Sequence, residues 1–204
     1  MKTQFKAQNT GQGTIFKNPV LEKLTKTHIA APITAFTLVS SYVVFKGFTQ
    51  YNLVVWQIAA LFLAGLFLFT FVEYIMHRFL FHMDESTDLR KKVVYTMHGV
   101  HHDHPRDKDR LAMPVPLSLT LAFLFFLLYR LILGDLVYGF LPGFLMGYAS
   151  YLGVHYMVHA VQPPKKGFWK YLWIHHGIHH YKQQERAFGV TTTIWDRIFG
   201  TMPK

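Results

Sequence analysis

Residues 53–82 read LVVWQIAALFLAGLFLFTFVEYIM and then HRFLFH, from Leu53 to Met76 and on to His77-Arg-Phe-Leu-Phe-His82. The first 24 of these residues carry one charge, Glu73, near their end. A helix needs about 20 apolar residues to cross the hydrocarbon core, so this stretch predicts a membrane span with two histidines at its exit. Three other apolar segments flank it. One covers about Ile29 to Phe45, with Pro32 near its start; it is short, and either spans if slightly extended or is re-entrant. The others run from Val115 to Leu133, with Arg130 near the end, and from Leu136 to about Val158, interrupted by Pro142 and glycines.

Histidine placement follows the same frame. Ten of the 13 histidines lie in four islands: His77/His82, His98-Gly-Val-His101-His102, His155-Tyr-Met-Val-His159 and His176-Gly-Ile-His179-His180. Residues three and four apart share a helix face, so each H-x-x-H-H triplet converges on one side. Adjacent members point about 100° apart, which lets one triplet serve two neighbouring ions. His77 and His82 are five apart, about 140° on a regular helix, and meet only if the helix distorts or ends between them; that end is expected near Arg78. One ion takes about four to six ligands, so ten imidazoles predict two metals close together. Histidine beside lipid is costly without a purpose. His28, His104 and His175 fall outside the pattern and are expected not to be ligands, His104 being the first exception if there is one. Glu73, one turn before His77 on the same face, and Asp103, beside the second island, are candidates for accepting the outer N–H of a metal-bound histidine. Asp107 and Asp109 read as solvated partners of Arg106, Lys108 and Arg110. Phe62, Phe67, Phe69, Phe123, Phe125 and Phe126 read as lipid-facing or packing groups.

Charge sets the topology. The basic residues cluster in residues 1–28, in the connection between the second and third segments, and in residues 159–204; the other two connections hold little beyond Lys46 and Asp135. Four spans put all three basic regions, and with them every histidine island, on one side, which the positive-inside rule makes cytoplasmic. The net charge of +10 is explained by this placement and by anionic headgroups, not by nucleic acid. With no cysteine, disulfides, thiolate ligands and iron–sulfur clusters are excluded, so any metal is held by nitrogen and oxygen. The polar N-terminus has no apolar core of a cleavable signal peptide. The length is that of a single domain, 1–204.

The four-island pattern resembles the fatty acid hydroxylase/sterol desaturase superfamily of integral-membrane di-iron oxygenases, and within it the fatty acid 2-hydroxylases. The likeness extends to Asn18-Pro-Val-Leu-Glu-Lys-Leu-Thr-Lys-Thr27, to Arg110-Leu-Ala-Met-Pro-Val-Pro116 after the second island, to Phe188-Gly-Val-Thr-Thr192 and to Trp195-Asp-Arg-Ile-Phe-Gly-Thr201. The resemblance implies an all-α membrane protein of four transmembrane helices under a cytoplasmic helical cap. It implies that His77, His82, His98, His101, His102, His155, His159, His176, His179 and His180 hold two iron ions, which zinc can replace in a purified sample. It implies O2-dependent hydroxylation at C2 of a long acyl chain, free or lipid-linked as in a sphingolipid, with the metals carrying the hard step and no separate side-chain catalyst. Many eukaryotic members carry an N-terminal cytochrome b-type domain. The first 28 residues leave no room for one, so electrons are expected from a separate donor protein, and the bacterial inner membrane is the expected location, or the endoplasmic reticulum for a eukaryotic chain.

Three rival readings stand beside this one. Carotenoid ring hydroxylation, sterol oxidation or desaturation would use the same cage, and the Leu-Glu-Lys-Leu-Thr and Met-Pro-Val-Pro segments argue against the first. A metal transporter would place its ligands along a path near the bilayer midplane. A bis-histidine haem carrier would leave the triplets surplus.

Overall fold

The computed structural model describes residues 5–204, and among them there is no β-strand. The helices are α1 (Pro19–Thr25), α2 (Ala30–Gln50), α3 (Val55–Ile75), α4 (Asp88–Val94), α5 (Val100–Asp103), α6 (Val115–Leu133), α7 (Val137–Ala160), α8 (Phe168–Tyr181) and α9 (Ile194–Ile198). Three helical stretches are long and apolar enough to cross a membrane: Ala30–Gln50, Val55–Phe81 and Lys108–Ala160. The third is 53 residues long and contains both α6 and α7. The backbone breaks between them at Gly134, φ +57°, a left-handed position that suits glycine. Ring contacts Tyr129–Phe140 and Phe125–Phe144 then run in opposing order, so α6 and α7 form an antiparallel pair. The first apolar segment is longer than the sequence suggests: α2 continues for 21 residues through Lys46 and Thr49 to Gln50.

Helix α7 is the centre of the bundle. It runs parallel to α3 and antiparallel to α2, as paired neighbours show: Gly65 and Gly147 lie against Phe140 and Phe69, and Ser40 and Phe36 against Pro142 and Tyr148. The α3–α7 approach is set by small residues. A Cβ at Gly143 would lie 1.9 Å from the Phe62 carbonyl oxygen, and one at Gly65 2.1 Å from that of Phe140. Lipid supplies no hydrophobic drive to press helices together, so close backbone packing of this kind has to hold the pair. The outward faces carry Leu38, Phe45, Val55, Leu63, Leu124 and Leu131, all well exposed. Such a surface would be a liability in water and is ordinary in lipid.

The parallel course of α3 and α7 brings their C-terminal ends, with His77 and His155, to one end of the bundle. Around that end pack α1, α4, α5, α8, α9 and the connecting loops. The N-terminal segment is tied to the second histidine island by buried polar contacts. The Gly13 N–H donates to Asp107 Oδ2 (3.0 Å), while Arg110 donates to the Gly13 carbonyl (3.2 Å) and to Thr25 Oγ1 (2.6 Å) and pairs with Glu22. Asp107 and Arg110 are therefore buried and structural, not the solvated pair that their charged surroundings suggest.

This latch gives a pH prediction. Burial alone would raise the Glu22 carboxyl, but the Phe16 and Ile15 N–H groups and the Arg110 guanidinium together hold it below its ordinary range. A depressed carboxyl contributes stability above its unfolded pKa of about 4.5 and loses it as pH falls further. Glu22→Gln leaves a buried guanidinium without its charge partner and costs about 3 kcal/mol at neutral pH. Thermal melting should show the variant below wild type at pH 7, with the gap closing as both are acidified past pH 4.5.

Candidate metal centre

The local backbone is what makes the histidines converge. The α3 helix does not end near Arg78. It widens into a π-helical turn over Met76–Phe81, with His82 as the residue that ends it. In that geometry residues five apart come into line, so His77 and His82 share a face that a regular helix would deny them. A second π turn, Tyr95–Gly99, carries His98 into α5, which holds His101 and His102. His155 and His159 lie on the last turns of α7, and His176, His179 and His180 on the second half of α8.

All ten histidines of the four islands meet, in two groups of five. His77, His82, His98, His102 and His179 form one; His101, His155, His159, His176 and His180 form the other. Within each group one ring nitrogen per residue lies within 4.8 Å of all the others. The i, i+4 pairs His98/His102 and His176/His180 each stay within one group, and their neighbours His101 and His179 cross to the opposite one. The diverging faces of each triplet therefore divide between the groups. Closest approaches in the first group are 3.0 Å for His77–His98 and His98–His102 and 3.1 Å for His102–His179, all Nε2 to Nε2. In the second they are 3.1 Å for His101–His180 and 2.9 Å for His159–His176.

These spacings fit a metal. Nitrogens about 2.1 Å from a shared ion, at right angles to one another, would be about 3.0 Å apart. The donors are the right kind as well. Burial, with the neighbouring rings, holds His98, His101, His102, His176, His179 and His180 well below the ordinary histidine range, so all six are neutral with a lone pair to give. His155 Nε2 is buried with no hydrogen-bond partner among the described residues, an arrangement that a bound cation resolves.

The outer nitrogens have a support that the sequence reading missed. His77 Nδ1 lies 2.5 Å from the Phe188 carbonyl and His179 Nδ1 2.8 Å from the Arg186 carbonyl. A carbonyl only accepts, so both rings carry their proton on Nδ1 and turn a bare Nε2 inward. Between the two carbonyls sits Ala187, φ +59° and fully buried, held by its N–H to the Thr201 carbonyl (2.8 Å). A non-glycine residue in this region is costly and persists only where the surroundings fix it.

Two buried carboxylates do the fixing. Asp196 accepts from the Phe188 and Gly189 N–H groups, and Glu73 from those of Val190 and Thr191, so four consecutive amides, 188–191, are clamped. Glu73 thus faces the strap at residues 186–191 and not a histidine ring, because the Val190 and Thr191 amides and the Thr191 hydroxyl occupy both its oxygens. Asp103 also departs from expectation. It is half-buried, its carbonyl accepts from Gln8, and its carboxylate hydrogen-bonds to no histidine among the described residues. His175 stands outside both groups and donates to Asp196. His104 and His28 are outside them too.

An apolar cavity of about 150 Å³ opens beneath the first group, between α2, α3, α6 and α7. Of the ten histidines only His77 lines it. Phe69 and Phe125, read from sequence as packing or lipid-facing, form part of its wall.

The family model described as fatty acid hydroxylase matches residues 62–201, which include all four islands. The chain belongs to the fatty acid hydroxylase family. A fatty acid 2-hydroxylase of Rattus norvegicus is 40% identical over 165 residues, covering 78% of this chain and 44% of that protein. A dihydroceramide fatty acyl 2-hydroxylase of Arabidopsis thaliana is 34% identical over 189 residues, 92% of this chain and 79% of its own. The solved structure of full-length scs7p, with only its hydroxylase domain visible, superposes with a TM-score of 0.86 at 34% identity, over 97% of this chain and 75% of that one. The chain thus spans less than half the length of the rat relative. As a family member it is a membrane protein whose relatives are lipid hydroxylases.

Proposed function

We propose that this family member is an O2-dependent hydroxylase that adds a hydroxyl group to C2 of a long acyl chain, free or lipid-linked, with two iron ions held by the ten clustered histidines. The observation that carries this reading is the meeting of an apolar cavity with the histidine cage at His77. Iron held by these nitrogens would supply O2 activation, one oxygen atom entering the C–H bond and the other leaving as water with two electrons from a donor and two protons; zinc would fit the same nitrogens but has no redox chemistry.

The chain's own residues bind, orient and keep water out. The cavity wall is almost wholly apolar. Ser118 donates back to the Val115 carbonyl (3.0 Å), and Glu73 has both oxygens taken by the strap, so neither is free for a polar headgroup. A tail therefore lies in the cavity while its headgroup stays at the rim, and the carbons beside the headgroup come to rest next to His77. That orientation favours C2 over positions farther along the chain.

Electrons are assigned to a separate donor protein. The third helical stretch, broken at Gly134, is read as two crossings, which gives four in all. The basic connections put the histidine end on the cytoplasmic side, and residues 1–204 act as one hydroxylase domain. To test this reading, the iron-loaded protein is reconstituted in lipid with a chemical reductant, O2 and acyl lipids. Mass spectrometry should find one added oxygen at C2. Oxygen only at other positions, or only on carotenoid, overturns the proposal.

A further inference from the structure

We propose that Phe125 and Phe144 form the floor of the acyl cavity and set the longest tail the site accepts; this rests on the acyl-hydroxylase reading above. The helix registers place every lining residue at a depth. α3 runs parallel to α7, so His77 is level with His155 and Phe69 with Gly147. α6 runs antiparallel, so Phe125 is level with Phe144 and Ala122 lies nearly one turn, about 4.5 Å, nearer the metals. The cavity thus extends from His77 down to Phe144, 11 residues of α7, or about 16 Å at 1.5 Å per residue. At the bottom the Phe125 and Phe144 rings touch, with centroids 4.9 Å apart. Tyr129 backs both, 5.8 Å from Phe125 and 5.3 Å from Phe144, so the floor is an aromatic stack. Just above it Ala122 contributes only a methyl group and leaves the slot open. The first ring below the opening therefore stops the tail.

Phe125 is the better test position because it is half-buried, whereas Phe144 is packed in the core. Phe125→Ala opens the slot toward Tyr129, and Ala122→Phe closes it above the floor. The iron-loaded full chain in nanodiscs is given an equal mixture of saturated acyl chains of graded length, and the 2-hydroxy products are quantified by mass spectrometry. A single methylene mismatched to an apolar pocket is worth about tenfold or more in selectivity. Phe125→Ala should raise the ratio of the longest to the shortest products by about that factor, and Ala122→Phe should lower it as much, with metal content unchanged. Phe125→Leu, which keeps most of the floor, should stay near wild type, and it decides the matter if Ala122→Phe does not fold. Product profiles that do not move in Phe125→Ala overturn the floor while leaving the function standing. A wild-type protein that hydroxylates no acyl chain overturns both.

Discussion

With one ion in each histidine group, as proposed, His102→Ala should remove one metal ion and leave the other, whereas His101→Ala, one residue away, should remove the other ion and leave the first. The two side chains are neighbours in sequence and belong to opposite groups, because successive helical residues point about 100° apart. His102 Nε2 faces His98 and His179, while His101 Nε2 faces His180. Loss of one imidazole from a buried five-nitrogen set leaves a poorer site. Outer-shell changes alone weaken metal binding about 10–100-fold, so removal of a ligand should exceed that. Metal analysis of the purified variants should give about one ion per chain in each case, against about two in wild type. On the proposed two-iron reading, hydroxylation should fall below detection in both. A His175→Ala variant separates this from a general fault: that ring lies outside both groups, so its metal content should stay near wild type even if its stability drops.

Asp196→Ala should be the most destabilising single change outside the cage. The carboxylate is fully buried and accepts from the Phe188 N–H (2.9 Å), the Gly189 N–H (2.8 Å), Thr201 Oγ1 (2.7 Å) and His175 (3.1 Å). Burial would raise this carboxyl, but the bonds from His175, Thr201 and Gly189 hold it below its ordinary range, so it is ionised at neutral pH. Truncation leaves four buried donors without an acceptor, at a cost of about 3–5 kcal/mol. The effect should also reach the first metal group through the strap. With Phe188 and Gly189 released, the Phe188 carbonyl no longer holds His77 Nδ1, and metal should be lost from that group first. Asp196→Asn, which keeps one carbonyl acceptor, should recover part of the stability. The contribution of Asp196 is present above its unfolded pKa and fades as pH falls below it, so the melting-temperature gap between wild type and Asp196→Ala should narrow in acid. Chemical melts with metal analysis check all of these together.

Much of the site was legible because its signals are local and periodic. Four-residue spacing predicts that His98/His102, His155/His159 and His176/His180 share a site, whereas the three-apart pairs His98/His101 and His176/His179 divide between the groups; the apolar runs predict that the islands gather at one end of a bundle. Nothing in the sequence marks a π turn, so His77 and His82 looked discordant, and the resolution lies in a widening that tertiary packing imposes. The partition of the ten rings also waited for the structure, because it depends on the approach of α5 and α8 to the ends of α3 and α7. The strap is the clearest omission. Its carbonyls come from Arg186 and Phe188, whose side-chain identity is irrelevant to the contact, and its anchors are acids 117 and 8 residues away in sequence from the amides they hold. Glu73 was singled out for the right reason, a carboxylate in an apolar helix near a ligand, but it acts one step farther from the metal than expected. Asp107 and Arg110 misled in the opposite direction, because a run of alternating charge reads as a solvated surface until the N-terminal segment is folded over it. The aromatic floor at Phe125 could not be distinguished from ordinary packing without the helix registers.

The central claim is that four separated islands build two adjacent nitrogen cages at one end of a helical membrane bundle. Anomalous diffraction at the iron edge on crystals of the iron-loaded protein tests it most directly. The account predicts two peaks per chain, one enclosed by His77, His82, His98, His102 and His179 and the other by His101, His155, His159, His176 and His180. A single peak, or a peak ligated outside these ten residues, would contradict it.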